Sequence, residues 1–306
     1  MRALVTGAGG FVGHHLVDHL SECGDEVTGT DRTTGGADML DPDAVSELVG
    51  AVLPDTIYHL AGQADVAASW ADPAGTLRSN AEGTLNVLAA ARRHDVERVV
   101  TVTSAEVYGL VRAHDLPITE DLPLNPSSPY AASKAAAEMI AIQWANAGVC
   151  VVRARAFNHL GPGQSERFVA AALAGRIVRA QEAGDATITV GNLDARRDFT
   201  DVRDVVAAYR LLALHGAAGE AYNVCSGIDR SIAELVELFR KRSGHLVKLI
   251  PDPALQRPSD LPVLRGDPAK LAALTGWEPR IPIEQTVDDI ISHARAGMLA
   301  SPSPHP

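Results

Sequence analysis

The chain is poor in cysteine, in positive charge and in long apolar runs. Its three cysteines, Cys23, Cys150 and Cys225, are far apart and lie in apolar contexts. They read as buried free thiols, and no CxxC or Cys/His spacing suggests a metal. The 27 Lys and Arg residues are outnumbered by 38 Asp and Glu, for a net charge of −11. That balance argues against nucleic acid as a partner, because a phosphate backbone is met by a basic stripe. An anionic small molecule must then be held by a few placed arginines. No apolar run approaches the ~20 residues that span a bilayer. The opening "MRALVTG" enters a strand pattern directly, without the look of a leader. The expectation is a soluble, cytoplasmic protein with no membrane partner.

What is present is ordinary globular composition: 46% hydrophobic and 21% charged residues over 306 positions, enough for a sizeable core. The first half alternates between two periods. "ALVTG", "EVTGTD", "DTIYHLAG", "RVVTVTS" and "VCVVRARAF" are short β-rich runs. Between them "FVGHHLVDHLSECG", "DPDAVSELVGAVL", "NAEGTLNVLAAARRHD" and "YAASKAAAEMIAIQWANAG" place apolar residues at helical spacing. Strand and helix alternating at these lengths imply parallel strands joined by right-handed crossovers, a doubly wound α/β sheet. After about residue 160 the rhythm loosens into a smaller mixed α/β region, and the final "SPSPHP" has nothing to bury. The expected division is 1–165 for the sheet domain, with contributions from about 196–226, and mainly substrate-binding chain over 166–306.

"TGAGGFVG" spaces Gly7, Gly10 and Gly13 by three, after a strand and at the opening of a helix that begins with Phe11 and Val12. Such a loop turns tightly, lets backbone approach a pyrophosphate, and aims helix N–H groups at it. Asp31 ends the second strand, where a carboxylate suits the ribose hydroxyls of NAD(H) and repels an extra phosphate. Arg32 follows and offers a partner for the 2′-phosphate of NADP(H). NAD(H) is slightly favoured over NADP(H).

Tyr130 and Lys134 stand at i and i+4 and share a helix face. A free phenol titrates near ~10, and an adjacent cation favours the phenolate. A pKa lower by about three units, about 4 kcal/mol, would poise Tyr130 for proton transfer at neutral pH. Ser104, at a strand end, supplies a hydroxyl for the same oxygen. Two residues on, Glu106 reads either as a base or as a carboxylate that caps local backbone or orients substrate.

Together these motifs resemble the extended short-chain dehydrogenase/reductases, the NAD-dependent epimerase/dehydratase family acting on nucleotide sugars. The resemblance implies a Rossmann-type fold with Ser104, Tyr130 and Lys134 catalytic. It also implies Asp38 and Met39 near the adenine, and Leu60, Ala61 and Gly62 along the dinucleotide. In the second half, "FNHLGPGQ", "RRDFTDVRDVV", "QRPSDLPVLRGDPAKL" and "TGWEPRIP" are similar to the GDP-mannose branch. That implies Asn158, Arg197 and Arg257 at the diphosphate or nucleotide and Asp260 at the ribose. The implied reaction is NAD(P)H-dependent reduction of the C4 keto group of a GDP-4-keto-6-deoxy-D-mannose. GDP-mannose 4,6-dehydration and C4 epimerisation are the alternatives, and a non-catalytic NAD(P)-binding protein is the remote one. In the dehydratases a carboxylate base holds the position of Glu106; the acid that dTDP-sugar members place before it is Ala105 here. A homodimer through the helices around 85–91 and 135–145 is also implied.

Overall fold

A computed structural model describes residues 1–252, 255 and 261–300. In chain order its strands and helices are β1 (Arg2–Thr6), α1 (Phe11–Glu22), β2 (Glu26–Thr30), α2 (Pro42–Val52), β3 (Thr56–His59), α3 (Val66–Ala71), α4 (Pro73–Leu77), α5 (Gly83–Arg93), β4 (Arg98–Ser104), α6 (Pro129–Asn146) and β5 (Val151–Ala156). The second half continues with β6 (Asn158–Leu160), α7 (Val169–Ala183), β7 (Thr187–Val190), β8 (Arg196–Asp201), α8 (Val202–His215), β9 (Ala221–Val224), β10 (Asp229–Ser231), α9 (Ile232–Ser243), β11 (Lys248–Pro251), β12 (Val263–Leu264), α10 (Ala269–Thr275) and α11 (Ile283–Ala300).

Six parallel strands stand in the order β2-β1-β3-β4-β5-β9. Successive residues point to opposite faces and both faces of the inner strands are covered, so β1, β3, β4 and β5 are buried almost throughout, whereas the edge strand β2 is partly exposed. Ala3 and Val5 join one core with Leu16 and Leu20 of α1 and Val205, Tyr209 and Leu212 of α8. Leu4 and Ile57 join the other, with Val45 and Val49 of α2 and Val87 and Leu88 of α5. From β1 the chain steps first to β2 and then, on the other side, to β3. The crevice outside the carboxyl ends of β1 and β3 is therefore the topological switch point, where ligands bind in such sheets. The glycine loop and Leu60–Gly62 lie at those ends, and Ser104 lies at the carboxyl end of the next strand, β4.

A third core gathers Ile177, Phe199, Leu235, Phe239, Val287 and Ile290 from α7, β8, α9 and α11. Strand β8 organises this region. It pairs with β6 and β12 in parallel and with β10 antiparallel. The division of the chain is interleaved: β9 completes the main sheet, and Leu271 and Trp277 pack into its core.

Two expectations need correction. Cys23 is exposed rather than buried, because it caps the solvent end of α1; Cys150 is half-buried and Cys225 buried. The segment "ARRDF", not among the β-rich runs read from the sequence, runs into strand β8. Its arginines hid the strand, since their partners come from elsewhere in the chain: Arg196 pairs with Asp229 of β10 and Glu234 of α9, and Arg197 donates to the Leu261 carbonyl.

Candidate active site

The loop after β1 fits a pyrophosphate. Gly7 has φ +72, and a Cβ at Gly13 would come within 2.1 Å of the Gly7 carbonyl oxygen. Gly10 caps α1 without any side chain bonded to the first amides. Backbone N–H groups and the positive end of α1 thus face an open approach. Asp31 turns back towards this loop. Its Oδ1 accepts from the Thr33 amide at 2.8 Å and the Thr33 hydroxyl at 2.6 Å. The Thr33 hydroxyl above all, with the Thr33 and Gly9 amides, holds the Asp31 carboxyl below its ordinary range against the opposing effect of burial. Arg32 is exposed, 4.0 Å from Asp38, and the Asp38 carboxylate also accepts from the Leu40 amide. Met39 uses its carbonyl to accept from Asn86 at 2.9 Å.

At the end of β4, Ser104 and Tyr130 come together. Ser128 caps α6 with Pro129 in its first turn, which fixes where Tyr130 enters the helix. The Tyr130 ring is buried, with 8% exposure. Burial pushes its pKa up to about 12, the hydrogen bond with Ser104 opposes this, and the Glu106 charge adds to it. Burial, rather than the Lys134 cation of the sequence expectation, sets the direction of the Tyr130 shift. Lys134 itself is lowered to about 8 by burial, and its Nζ donates to the Val102 carbonyl at 3.1 Å. Glu106 sits on a tight helical turn, Ala105–Tyr108, that Ser104 caps by accepting from the Glu106 amide at 3.2 Å.

Residues that sequence reasoning did not single out join these pieces. Thr6 and Thr84 hold the two ring nitrogens of His59 at 2.9 and 3.2 Å. The Thr84 hydroxyl donates to the Asn80 carbonyl, so it accepts from His59 Nε2–H, and Nδ1 accepts from Thr6. Burial first, then the Lys134 charge, lowers the His59 pKa to about 3, so the ring stays neutral. Asn80 brackets Gln63 through two hydrogen bonds and donates to Ser133, whose hydroxyl donates to the Tyr130 carbonyl. A Cβ at Gly62 would meet Asn80 Oδ1 at 2.4 Å and Lys134 Nζ at 3.7 Å, so the loop after β3 lies against α6. The only sequence signal was "HLAG"; the rest depends on contacts across 17 to 53 residues.

Substrate-side candidates are less gathered. Asn158 opens β6 beside Phe199 of β8. The neighbouring His159 stacks on Phe11 with ring centroids 6.1 Å apart, which ties β6 to the glycine loop. Arg197 is buried and donates to the Arg196 and Leu261 carbonyls. Arg257 and Asp260 lie outside the described residues. Among the described residues no group of His, Cys, Asp or Glu is placed to hold a metal, and no helix is long and apolar enough to cross a membrane.

A switch-point glycine loop facing a Ser/Tyr/Lys set defines a dinucleotide-dependent oxidoreductase site. The comparisons agree: the model of the NAD dependent epimerase/dehydratase family matches residues 3–225, and the chain belongs to that family. A GDP-6-deoxy-D-mannose reductase of Pseudomonas aeruginosa is 41% identical over 95% of this chain and 96% of the relative. A UDP-glucose 4-epimerase of Mycolicibacterium smegmatis is 32% identical over 96% and 99%. The solved structure of RMD from Pseudomonas aeruginosa, complexed with NADPH, superposes with a TM-score of 0.89 at 39% identity, covering 97% of this chain and 100% of that one.

Proposed function

We propose that this protein reduces the C4 keto group of GDP-4-keto-6-deoxy-D-mannose to a GDP-6-deoxyhexose of the D-rhamnose type, using NADPH or NADH. The observation that carries the reading is the full-length likeness, 41% identical over 95% of this chain, to a GDP-6-deoxy-D-mannose reductase, together with Ser104 and Tyr130 meeting at the end of β4. Ketone reduction needs a proton donor at that point, and the Tyr130 phenol is the group placed to supply it. A bound reduced nicotinamide supplies the hydride. Tyr130 gives its proton to the alkoxide forming at C4, and Ser104 hydrogen-bonds the same oxygen. Lys134, one helical turn along, steadies the negative phenol oxygen left behind. The glycine loop and the α1 N-terminus hold the pyrophosphate, with Leu60, Ala61 and Gly62 beside it and Asp31 at the ribose. The likeness to the Pseudomonas reductase supports both the substrate and NADPH as an accepted cofactor. Asn158, Arg197, Arg257 and Asp260 are the proposed contacts to the nucleotide sugar.

One observation favours a second reading, GDP-mannose 4,6-dehydration: the Glu106 carboxylate lies close enough to Tyr130 to raise its pKa. The two readings separate on Glu106→Gln. For the reductase, consumption of reduced cofactor with the 4-keto sugar stays within about tenfold of wild type. If Glu106 is a base, formation of the 4-keto sugar from GDP-mannose falls by about 10² to 10⁴, and wild type makes that product without added reductant. The same reading includes a homodimer through α5 and α6, which leave Leu85 and Met139 exposed. It also includes a cytoplasmic setting, which suits three unpaired thiols.

A further inference from the structure

Tyr130, Lys134 and Glu138 follow one another at four-residue intervals on α6, so one face of this helix carries all three into the protein. Glu138 is fully buried, about 12 Å from Tyr130 along the axis at 1.5 Å per residue. It cannot touch the reacting oxygen. Its two oxygens instead collect partners from neighbouring strands. Oε1 accepts from the Thr103 hydroxyl at 2.8 Å and Arg155 Nε at 2.9 Å. Oε2 accepts from Arg153 Nη1 at 2.8 Å and Arg155 Nη2 at 2.7 Å.

Those partners lead back to the site. Thr103 is the residue before Ser104. Arg155 goes on to donate to the Tyr108 hydroxyl at 2.8 Å, and Tyr108 donates to Asn223 at 2.7 Å. Tyr108 closes the turn that begins after Ser104 and carries Glu106. Burying one carboxylate with two guanidinium groups is weak as a source of stability, since well-packed apolar side chains usually do as well. As a fixture it is strong, because these four charge-assisted or hydroxyl bonds define one arrangement of α6, β4 and β5.

We propose that Glu138 is a positioning residue that clamps the Tyr130/Lys134 helix to the strand end carrying Ser104 and Glu106. It sets the register of the Ser104–Tyr130 hydrogen bond. The proposal rests on the reading that these two hydroxyls share the substrate oxygen. A small misplacement of either then lowers turnover while ground-state binding elsewhere in the cleft is kept.

Glu138→Gln tests this directly, but it leaves two buried guanidinium groups under-compensated and can cost the fold. Thr103→Val and Tyr108→Phe each cut one arm of the clamp and keep the packing. In the folded single variants kcat falls about tenfold, with KM for both substrates and the cofactor Kd within about twofold. A second readout needs neither substrate nor cofactor. With ¹³C at Cζ of the five tyrosines, the signal missing from a Tyr130→Phe control identifies Tyr130, and it shifts in both clamp variants. If kcat and the Tyr130 resonance stay at wild-type values while only thermal stability drops, the proposal is overturned. A wild-type protein inactive on the keto sugar would instead defeat the proposed function, and the resonance would still decide the clamp.

Discussion

Lys134 is held in a costly state at the scale of single residues. Burial lowers its pKa from 10.5 to about 8, with one carbonyl, that of Val102, as its recorded partner. The folded, cofactor-free chain therefore gives up this proton at lower pH than the unfolded chain does. Between about pH 8 and 10.5 the unfolded state binds the extra proton, so stability from this group rises with pH across that window. Lys134→Met removes the charge at similar volume. It is expected to stabilise the cofactor-free protein at pH 7 by up to about 3 kcal/mol, to show little gain near pH 10.5, and to abolish turnover. Urea unfolding at the two pH values reads the difference. Ser104, Tyr130 and Lys134 were legible because their spacing and local elements are sequence properties. The direction of the Tyr130 shift was not, because it depends on how much of the surrounding chain closes over the ring.

Among the elements, β8 is the one on which the second half depends. Asp198, fully buried there, accepts from the Ser226 amide and hydroxyl, the Gly227 amide and the Gly266 amide. Burial raises its pKa to about 6 even against those bonds. One carboxylate thus fastens the turn after β9 and the chain after β12 to β8. Asp198→Ala strands these donors together and is expected to cost at least about 2 kcal/mol, since bonds to a charged group are each worth about 1.5–3 kcal/mol. A lower urea midpoint with an unchanged m-value checks it. The parallel strands of the first half could be read because each is a short run rich in β-branched residues between helical patterns, even where arginines interrupt it as in β5. β8 could not, because its charged residues find partners only in the folded chain. The short helices α3 and α4 went unread for a different reason: six and five residues are too few to show a period. Their signals were the capping residues Asp65 and Asp72.

For the whole molecule, the layout places the glycine loop, Ser104, Tyr130 and Lys134 towards one end of the main sheet, and leaves apolar helix surface outside it. Met139 of α6 is 51% exposed and Leu85 of α5 is 40% exposed. If these helices pair two copies, Met139→Glu gives monomers in sedimentation equilibrium under conditions where wild type is dimeric; a wild-type monomer contradicts the pairing. The two-part organisation was visible in the change of rhythm near residue 160. The expected contribution from about 196–226 spans β9. The packing of Leu271 and Trp277 against the same core was not legible, because it joins residues far apart in the chain. The central claim is that Tyr130 acts as an acid in reduction at C4. It is tested most directly by supplying GDP-4-keto-6-deoxy-D-mannose with C4-deuterated NADPH and examining the product by NMR. The account predicts one deuterium at C4 of a 6-deoxyhexose, with one cofactor oxidised per product. A product without deuterium at C4, or no oxidation of cofactor at all, would contradict it.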